Sequence, residues 1–136
     1  MPEKRTIERA KEDKREGKSA STQAGEFVRQ EMHHIREGKH GAKNTKQAIA
    51  IGLSEARRAG VKLPPKKGVR AEGKKRGKVS RTRSRASEKA LKRQPRKAAS
   101  RRSLSRQAKT VAAKRSHADR SRAAKKAART RKRNKH

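Results

Sequence analysis

The sequence has no cysteine, no tryptophan and no tyrosine, and Phe27 is its one aromatic residue. Without cysteine the chain has neither disulfide bonds nor thiol chemistry. The longest mainly apolar run, residues 48–53, is far shorter than the roughly 20 residues that a membrane span needs. The N-terminus alternates charges where a secretory signal has an apolar stretch. We therefore expect neither a membrane span nor a signal peptide.

Acidic residues are also scarce. The 136 residues include 12 Asp and Glu against 45 Lys and Arg, so the formal net charge is +33, and 27% of the residues are hydrophobic. This apolar content supports at most one small domain. The rest of the chain buries too little surface to offset the entropy of ordering it, so we expect substantial disorder there.

The charge is distributed unevenly along the chain. Residues 1–63 carry 15 basic and 9 acidic residues, whereas residues 64–136 carry 30 basic and three acidic ones. Two prolines at the junction, Pro64 and Pro65, stop any helix and favour an extended linker. We predict a mainly α protein with a small helical module over 1–63, a flexible basic linker over 64–85 and a Lys/Arg/Ala-rich tail over 86–136.

Two helices are predicted in the first half of the module. A charged helix covers residues 3–16 and is held by weak ion pairs between side chains three and four residues apart. A second helix covers residues 22–37, with Ser21 or Thr22 as its N-cap and Gly38 as its left-handed C-terminal residue. Its apolar residues recur every three or four positions and form one stripe.

A third helix is predicted over residues 45–59, where Asn44 or Thr45 caps it and Gln47 completes a loose capping box. Gly52, inside this helix, indicates either a close crossing with another helix or a glycine without a structural role. The sizeable apolar side chains available for a core are Ile7, Phe27, Val28, Met32, Ile35, Ile49, Ile51, Leu53, Val61 and Leu63. Because this set is small, we expect a marginally stable monomer, and a homodimer through the Phe27 and Ile49 faces would add stability.

The tail is built mostly from Lys, Arg, Ala and Ser. Ala, Lys and Arg are strong helix formers, so residues 86–93 and 104–133 are expected to become helical once a polyanion neutralises their charges. Pro95 separates the two segments. Without a partner, repulsion between like charges keeps the tail disordered.

A polycationic tail of this kind favours nucleic acid as its partner. A membrane-surface helix needs large apolar residues opposite its basic face, and the tail has almost none. Single-strand binders stack bases on aromatic side chains, which the chain also lacks, so duplex binding is favoured. Phosphate contacts position a protein without reading bases. The sequence therefore predicts binding of duplex DNA with little sequence preference, as in nucleoid-associated, histone-like proteins.

The residues expected to contact phosphates are the dense basic clusters of the tail and the cations that flank the third helix. They are Lys43, Lys46, Arg57, Arg58, Lys74, Lys75, Arg76, Arg101, Arg102, Lys125, Lys126, Arg131, Lys132 and Arg133.

Two alternatives remain open at this point. One is an RNA-binding or ribosome-associated basic protein, since arginine-rich segments also fold on structured RNA. The other is a helical protein-interaction module that the tail recruits to nucleic acid. The second and third helices resemble a helix-turn-helix in outline, but their connection carries no fingerprint of a base-reading motif.

Three histidines, His33, His34 and His40, lie near Glu37. His33 and Glu37 are four residues apart on one helical face, a spacing that can hold a metal. A polar helix face explains the same residues, and the chain has no cysteine or second acidic cluster to add ligands. Neither a phosphate-binding loop nor a catalytic triad is suggested. We expect no metal, no cofactor and no enzymatic activity.

Three stretches carry a family resemblance: STQAGEFV over 21–28, HIREGKHG over 34–41 and KQAIAIGLSEARRAG over 46–60. Over residues 1–63 the chain resembles a family of small, highly basic bacterial proteins of unknown function. The tail resembles the Lys/Ala/Arg tails of linker-histone-like bacterial nucleoid proteins in composition. The resemblance implies a bacterial cytoplasmic location and no activity, and the predicted DNA binding places the protein at the nucleoid.

Overall fold

The computed structural model describes residues 2–64 and 80–135, and within these ranges it is entirely helical. The helices are α1 (Lys4–Arg15), α2 (Ala20–Glu37), α3 (Thr45–Arg58), α4 (Arg81–Lys92), α5 (Arg101–Lys114) and α6 (His117–Arg133), with a 3-10 helix, η1, at Arg96–Ala99. The mainly α prediction is confirmed. The chain divides into two compact units, Met1–Ser100 and Arg101–His136. The first unit contains the three predicted helices as α1–α3, and also α4 and η1, which the predicted module did not include.

The start of α2 differs from the prediction. The Ser19 hydroxyl accepts a hydrogen bond from the Thr22 backbone N–H at 3.4 Å, so Ser19 is the N-cap. Ser21 and Thr22 therefore lie inside the first turn, and their prediction as caps is wrong by two or three residues. The predicted end of the helix is confirmed, because Gly38 adopts a left-handed φ of 82°.

Of the two N-caps predicted for α3, Asn44 is confirmed, and Thr45 is the first residue of the helix. Asn44 Oδ1 accepts a hydrogen bond from the Gln47 backbone N–H at 2.8 Å. Gln47 Oε1 in turn accepts one from the Lys43 N–H at 2.6 Å, one residue earlier than in a standard capping box. Two otherwise orphaned amides at the start of α3 thus have partners.

The core of the first unit lies around α2, which packs against α1, α3 and η1. Phe27, Met32 and Ile35 are its large buried apolar side chains. The remaining predicted core residues are only partly buried, and alanines occupy most of the other buried apolar positions: Ala10, Ala24, Ala42, Ala48, Ala56, Ala98 and Ala99. Small side chains therefore let the helices approach closely with few large residues between them.

Gly52 shows how close that approach is. A Cβ at this position would lie 2.7 Å from Val28 Cα in α2, so α2 and α3 cross in direct backbone contact. Of the two interpretations of this glycine, the close crossing is confirmed.

The structure corrects the predicted extent of disorder. Residues 91–99 lie against the connection between α2 and α3, where the Gly41 N–H donates to the Leu91 carbonyl at 2.9 Å and the Ala42 N–H to the Pro95 carbonyl at 3.2 Å. Ala99 is completely buried in this contact. We refer to residues 91–99 as the docked segment. Disorder is the wrong prediction for it, because its alanines and backbone carbonyls find partners far away in the sequence.

The rest of the described tail is helical. α4 begins at Arg81, inside the predicted linker, while residues 65–79 of that linker lie outside the described residues. The region expected to become helical on binding, residues 104–133, falls within two helices, α5 and α6, because the Ser116 hydroxyl accepts a hydrogen bond from the Asp119 N–H at 3.1 Å and starts a new helix. Neither α5 nor α6 buries a residue.

Candidate nucleic-acid interface

The predicted phosphate-binding residues that the structure describes lie at the surface. All are exposed except Arg57, which is half-buried and donates a hydrogen bond from Nη2 to the Pro64 carbonyl at 3.2 Å. Lys74, Lys75 and Arg76 lie outside the described residues.

The cations predicted around α3 do not form a single patch. Lys43 and Lys46 lie at the start of the helix, whereas Arg57 and Arg58 lie in its last turn. With a rise of 1.5 Å per residue, Lys46 and Arg57 are about 16 Å apart along the helix axis. The structure therefore separates these four residues into two pairs.

The pair at the start of α3 gains neighbours from the docked segment. Thr45 Oγ1 donates a hydrogen bond to the Ala98 carbonyl at 2.7 Å, which brings the backbone of the exposed residues Arg96 and Lys97 to the same end of the unit as Lys43 and Lys46. The Arg96 guanidinium lies over Gly38, at the end of α2. We call these four cations the basic end. None of them forms an ion pair within the described residues. Sequence reasoning missed Arg96 and Lys97 here, because only the docking of a distant segment places them beside α3.

The side of the first unit formed by α1 and α2 carries both signs of charge. Arg9 pairs with Glu26 at 3.7 Å, and Lys39 pairs with Glu37 at 3.2 Å and Glu3 at 3.6 Å. A groove of about 310 Å³ on this side is lined by arginines and glutamates together. Since its cations are already partly neutralised, this side is a poor surface for phosphates.

The second unit is almost entirely basic. Residues 101–135 contain 15 Lys and Arg and one acidic residue, Asp119, which pairs with Arg122 at 3.4 Å. In α5, Arg102 falls on the same face as Arg106 and Lys109, while Leu104 and Val111 fall on another. Val111 is a large hydrophobic residue whose surface is 39% exposed.

In α6 the cations fall into a stripe. At 100° per residue, Lys125, Lys126, Arg129 and Arg133 lie within an arc of about 100° and extend over about 12 Å of helix. We call these four residues the α6 stripe. The opposite face carries the small side chains Ala123, Ala124, Ala127 and Ala128. All four cations are exposed and none forms an ion pair within the described residues, so their charges are available to a ligand. Of the other predicted cations, Lys132 lies about 20° beyond the edge of this stripe, next to Lys125, and Arg131 lies on the alanine face.

A second, very different cluster is buried beside the end of α2. The Glu31 side chain is 1% exposed, its Oε1 lies 3.0 Å from His40 Nε2, and its Oε2 lies 4.0 Å from His34 Nδ1. Burial raises the pKa of Glu31; the neighbouring imidazole of His40 acts in the opposite direction, and Glu55 of α3 raises the pKa further. This group of residues can hold a cation chemically, since it offers two imidazoles and a carboxylate.

The ring nitrogens that face away from Glu31, which we call the outer nitrogens, also have partners. His34 Nε2 lies 3.1 Å from Glu3 Oε1, and His40 Nδ1 lies 3.0 Å from the Gly41 carbonyl. The hydrogen bond from His34 is the largest influence on Glu3 and lowers the pKa of that carboxyl.

This cluster is not the one that the histidine spacing suggested. His33 and Glu37 are exposed and lie outside it, and the carboxylate that His34 and His40 approach is Glu31. Sequence reasoning missed Glu31. A signal was present, because Glu31 lies four residues from both Phe27 and Ile35 and so falls on the buried stripe of α2, where an acidic side chain is costly.

Comparison with known proteins gives one family. A model described as a family of unknown function, DUF6496, matches residues 15–67, which is less than half of the chain. This match begins at the last residue of α1 and includes α2 and α3, and it is consistent with the predicted resemblance to an uncharacterised family. Neither the curated proteins nor the solved structures gave a match.

Proposed function

We propose that this protein binds duplex nucleic acid through its phosphate backbone, with little sequence preference, as a nucleoid-associated protein does. The observation that carries the proposal is the α6 stripe, in which four exposed cations without ion-pair partners share one helical face. Each cation that neutralises a phosphate releases condensed counterions, and this release favours binding. The proposal is for a binding function and includes no enzymatic activity.

Two observations favour a duplex over a single strand or a membrane. Phe27, the one aromatic side chain, is 1% exposed, so no aromatic surface is available for stacking unpaired bases. No helix within residues 2–64 or 80–135 is long and apolar enough to cross a membrane. α6 also has no large apolar residue with which to enter a membrane surface.

The basic end supplies a second group of cations on the first unit. Two of its four cations belong to the docked segment and two to the start of α3. All four therefore project from ordered backbone. In the proposal they contact phosphates in addition to the α6 stripe. Neither group of cations includes a feature that would bind the edges of bases in a groove. We therefore expect weak discrimination between sequences.

The first prediction tests the α6 stripe. Replacing Lys125, Lys126, Arg129 and Arg133 together by Gln is expected to weaken duplex DNA binding strongly, because up to four phosphate contacts are lost. The slope of log affinity against log salt concentration should become less steep by about 3 to 4. Fluorescence anisotropy with a labelled duplex over a salt series measures both quantities.

A variant with the same loss of charge is the control. Lys4, Arg5, Lys11 and Arg15 of α1 are exposed, and their replacement by Gln removes two lysines and two arginines, as in the stripe variant. This control should keep nearly the whole salt slope. If both variants lose the same affinity and slope, total charge decides binding and the stripe has no special role.

The choice between DNA and RNA needs a direct competition. A labelled DNA duplex and a structured RNA of equal charge, added to the full chain at one salt concentration, compete for the same cations. The proposal expects the DNA to be bound at least as tightly as the RNA. A strong preference for the RNA would instead support an RNA-binding or ribosome-associated protein.

A further inference from the structure

The end of α2 brings two histidines and a glutamate together. Glu31 and His34 are three residues apart in α2 and therefore lie on one face of the helix. Gly38 ends the helix in a left-handed conformation, and the chain then turns so that His40 approaches the same carboxylate. One ligand atom from each of these residues lies within 4.8 Å of the other two.

The outer hydrogen bonds determine which ring nitrogens face the cluster. A carbonyl oxygen only accepts, so His40 Nδ1 carries the hydrogen that it donates to Gly41, and its Nε2 faces Glu31. His34 Nε2 lies 3.1 Å from the Glu3 carboxylate and 3.3 Å from the Gln30 side-chain amide nitrogen, so that its Nδ1 is the ring nitrogen that faces Glu31. An imidazole whose far nitrogen donates to a carboxylate or a backbone carbonyl is the usual arrangement of a metal-bound histidine.

The carboxylate at the centre lacks a balancing hydrogen bond. Glu31 Oε1 is buried, and among the described residues it accepts no hydrogen bond of good geometry, although His40 Nε2 lies only 3.0 Å away. With His40 in this tautomer, the Nε2 lone pair and the buried carboxylate repel one another unless a proton or another cation lies between them. A cation bound by all three groups would supply that charge.

We propose that Glu31, His34 and His40 form a binding site for a divalent transition-metal ion, and that Zn²⁺ is the ion that fits them best. Two histidines and one glutamate are a known ligand set for zinc, with the fourth position open to water. With bond lengths of about 2.0–2.1 Å, tetrahedral ligands lie about 3.3 Å apart. The distances of 3.0 and 4.0 Å from the histidines to Glu31 bracket this value, and all three ligand atoms lie within 4.8 Å of one another, so side-chain rotations can bring them to it.

The site lies where a bound metal would hold the basic end in place. His40 directly precedes Gly41 and Ala42, whose amides bond the docked segment, and Glu31 belongs to α2. A metal that joins His40 to Glu31 would fix this connection to α2. This inference does not depend on nucleic-acid binding.

Zinc binding to the tag-free full chain provides the test. We expect isothermal titration with ZnCl₂ to show one tight site, with a higher thermal unfolding midpoint that EDTA reverses. Co²⁺ in place of Zn²⁺ should give the visible absorption of a tetrahedral site. Mg²⁺, which prefers oxygen ligands, should have no effect on the midpoint.

Variants of the cluster should lose this binding. His40→Gln and His34→Gln are each expected to weaken Zn²⁺ binding by more than about 100-fold. Glu3→Gln, which removes the charge from the outer contact with His34 and also the ion pair with Lys39, is expected to weaken it by about 10–100-fold. Glu31→Gln keeps the size of the side chain and removes the buried charge, so it should fold at least as well as the wild type while losing the tight site.

Histidines outside the cluster serve as controls. His33→Gln and His117→Gln should bind Zn²⁺ as tightly as the wild type. The proposal is overturned if the wild type shows no tight site, if folded Glu31→Gln binds as well as the wild type, or if His33→Gln is the variant that loses binding, which would place the metal at His33 and Glu37 instead.

Discussion

Gly41 is where the docked segment comes closest to the rest of the first unit. A Cβ on this residue would overlap the carbonyl group of Gln94, and its N–H donates to the Leu91 carbonyl. The overlap is with backbone, which cannot move aside as the end of a flexible side chain can. The absence of a side chain at Gly41 is therefore a condition for docking.

Gly41→Ala is accordingly expected to destabilise the first unit by about 1–3 kcal/mol, the usual cost of overpacking a tight contact. Hydrogen exchange at the Ala42 amide, which bonds the Pro95 carbonyl, should become faster. Denaturant unfolding and exchange NMR measure the two effects.

Gly25→Ala is the matched control for this substitution. Gly25 is exposed within α2, and a Cβ there would meet nothing within 4 Å. Because alanine favours a helix over glycine, this variant should be more stable by up to about 1 kcal/mol. Equal destabilisation by both substitutions would show that Gly41 makes no special contact.

At the scale of elements, the docked segment and α3 are joined by one side chain. Thr45 Oγ1 donates to the Ala98 carbonyl at 2.7 Å, and this hydrogen bond is buried. Arg36 Nε of α2 donates a hydrogen bond to the next carbonyl of the segment, that of Ala99, at 2.9 Å. Two helices thus bind consecutive carbonyls of η1, which explains why so short a 3-10 helix holds a fixed place.

Thr45→Val keeps the shape of the side chain and removes the donor. We expect it to lower the free energy of unfolding by about 1–3 kcal/mol, because the Ala98 carbonyl is left without its buried partner. Thr110→Val is the control, since the Thr110 hydroxyl also donates to a backbone carbonyl, that of Arg106, but on the exposed surface of α5. The control should change stability by less than about 0.5 kcal/mol. Similar losses in both variants would contradict a structural role for the contact.

At the scale of the whole molecule, stability and charge lie in different units. The buried residues all belong to Met1–Ser100, whereas α5 and α6 bury none and carry the α6 stripe. A chain that ends at Ser100 should therefore unfold at the same midpoint as the first unit of the full chain. It should lose most of the affinity that the full chain has for duplex DNA.

Ending the chain at Pro64 should act on stability as well. This shorter chain lacks Ala98 and Ala99 and the carbonyls that Gly41, Ala42 and Thr45 bond, so we expect it to be less stable by about 1–3 kcal/mol. Denaturant unfolding of the two truncated chains, followed by circular dichroism, makes the comparison. If the two chains unfold at the same denaturant concentration, the docked segment contributes nothing to the fold.

Oligomeric state belongs to the same scale. The predicted homodimer uses the Phe27 and Ile49 faces, but Phe27 is 1% exposed within a single chain, and Ile49 is half-buried. A dimer through Phe27 would require α2 to separate from its neighbours. The dimer stays a prediction, and the core described above does not need it.

The sequence by itself determined the features that depend on neighbouring residues. The C-terminal end of α2 at Gly38, the Asn44 cap of α3 and the apolar stripe through Phe27 and Ile35 follow from contacts between residues that are close in the sequence. The concentration of positive charge after residue 63 is likewise a property of composition. Such features can be read directly because helix periodicity and capping are local.

Only the tertiary structure decided the rest. Docking joins Thr45 to Ala98, 53 residues later, and the buried cluster joins Glu31 to His40 across the end of a helix. Small residues such as Ala99 and Gly41 carry little pattern of their own, and their importance arises from close backbone approach. The physical reason is that contacts between distant segments depend on how whole elements pack, and local sequence does not encode that packing.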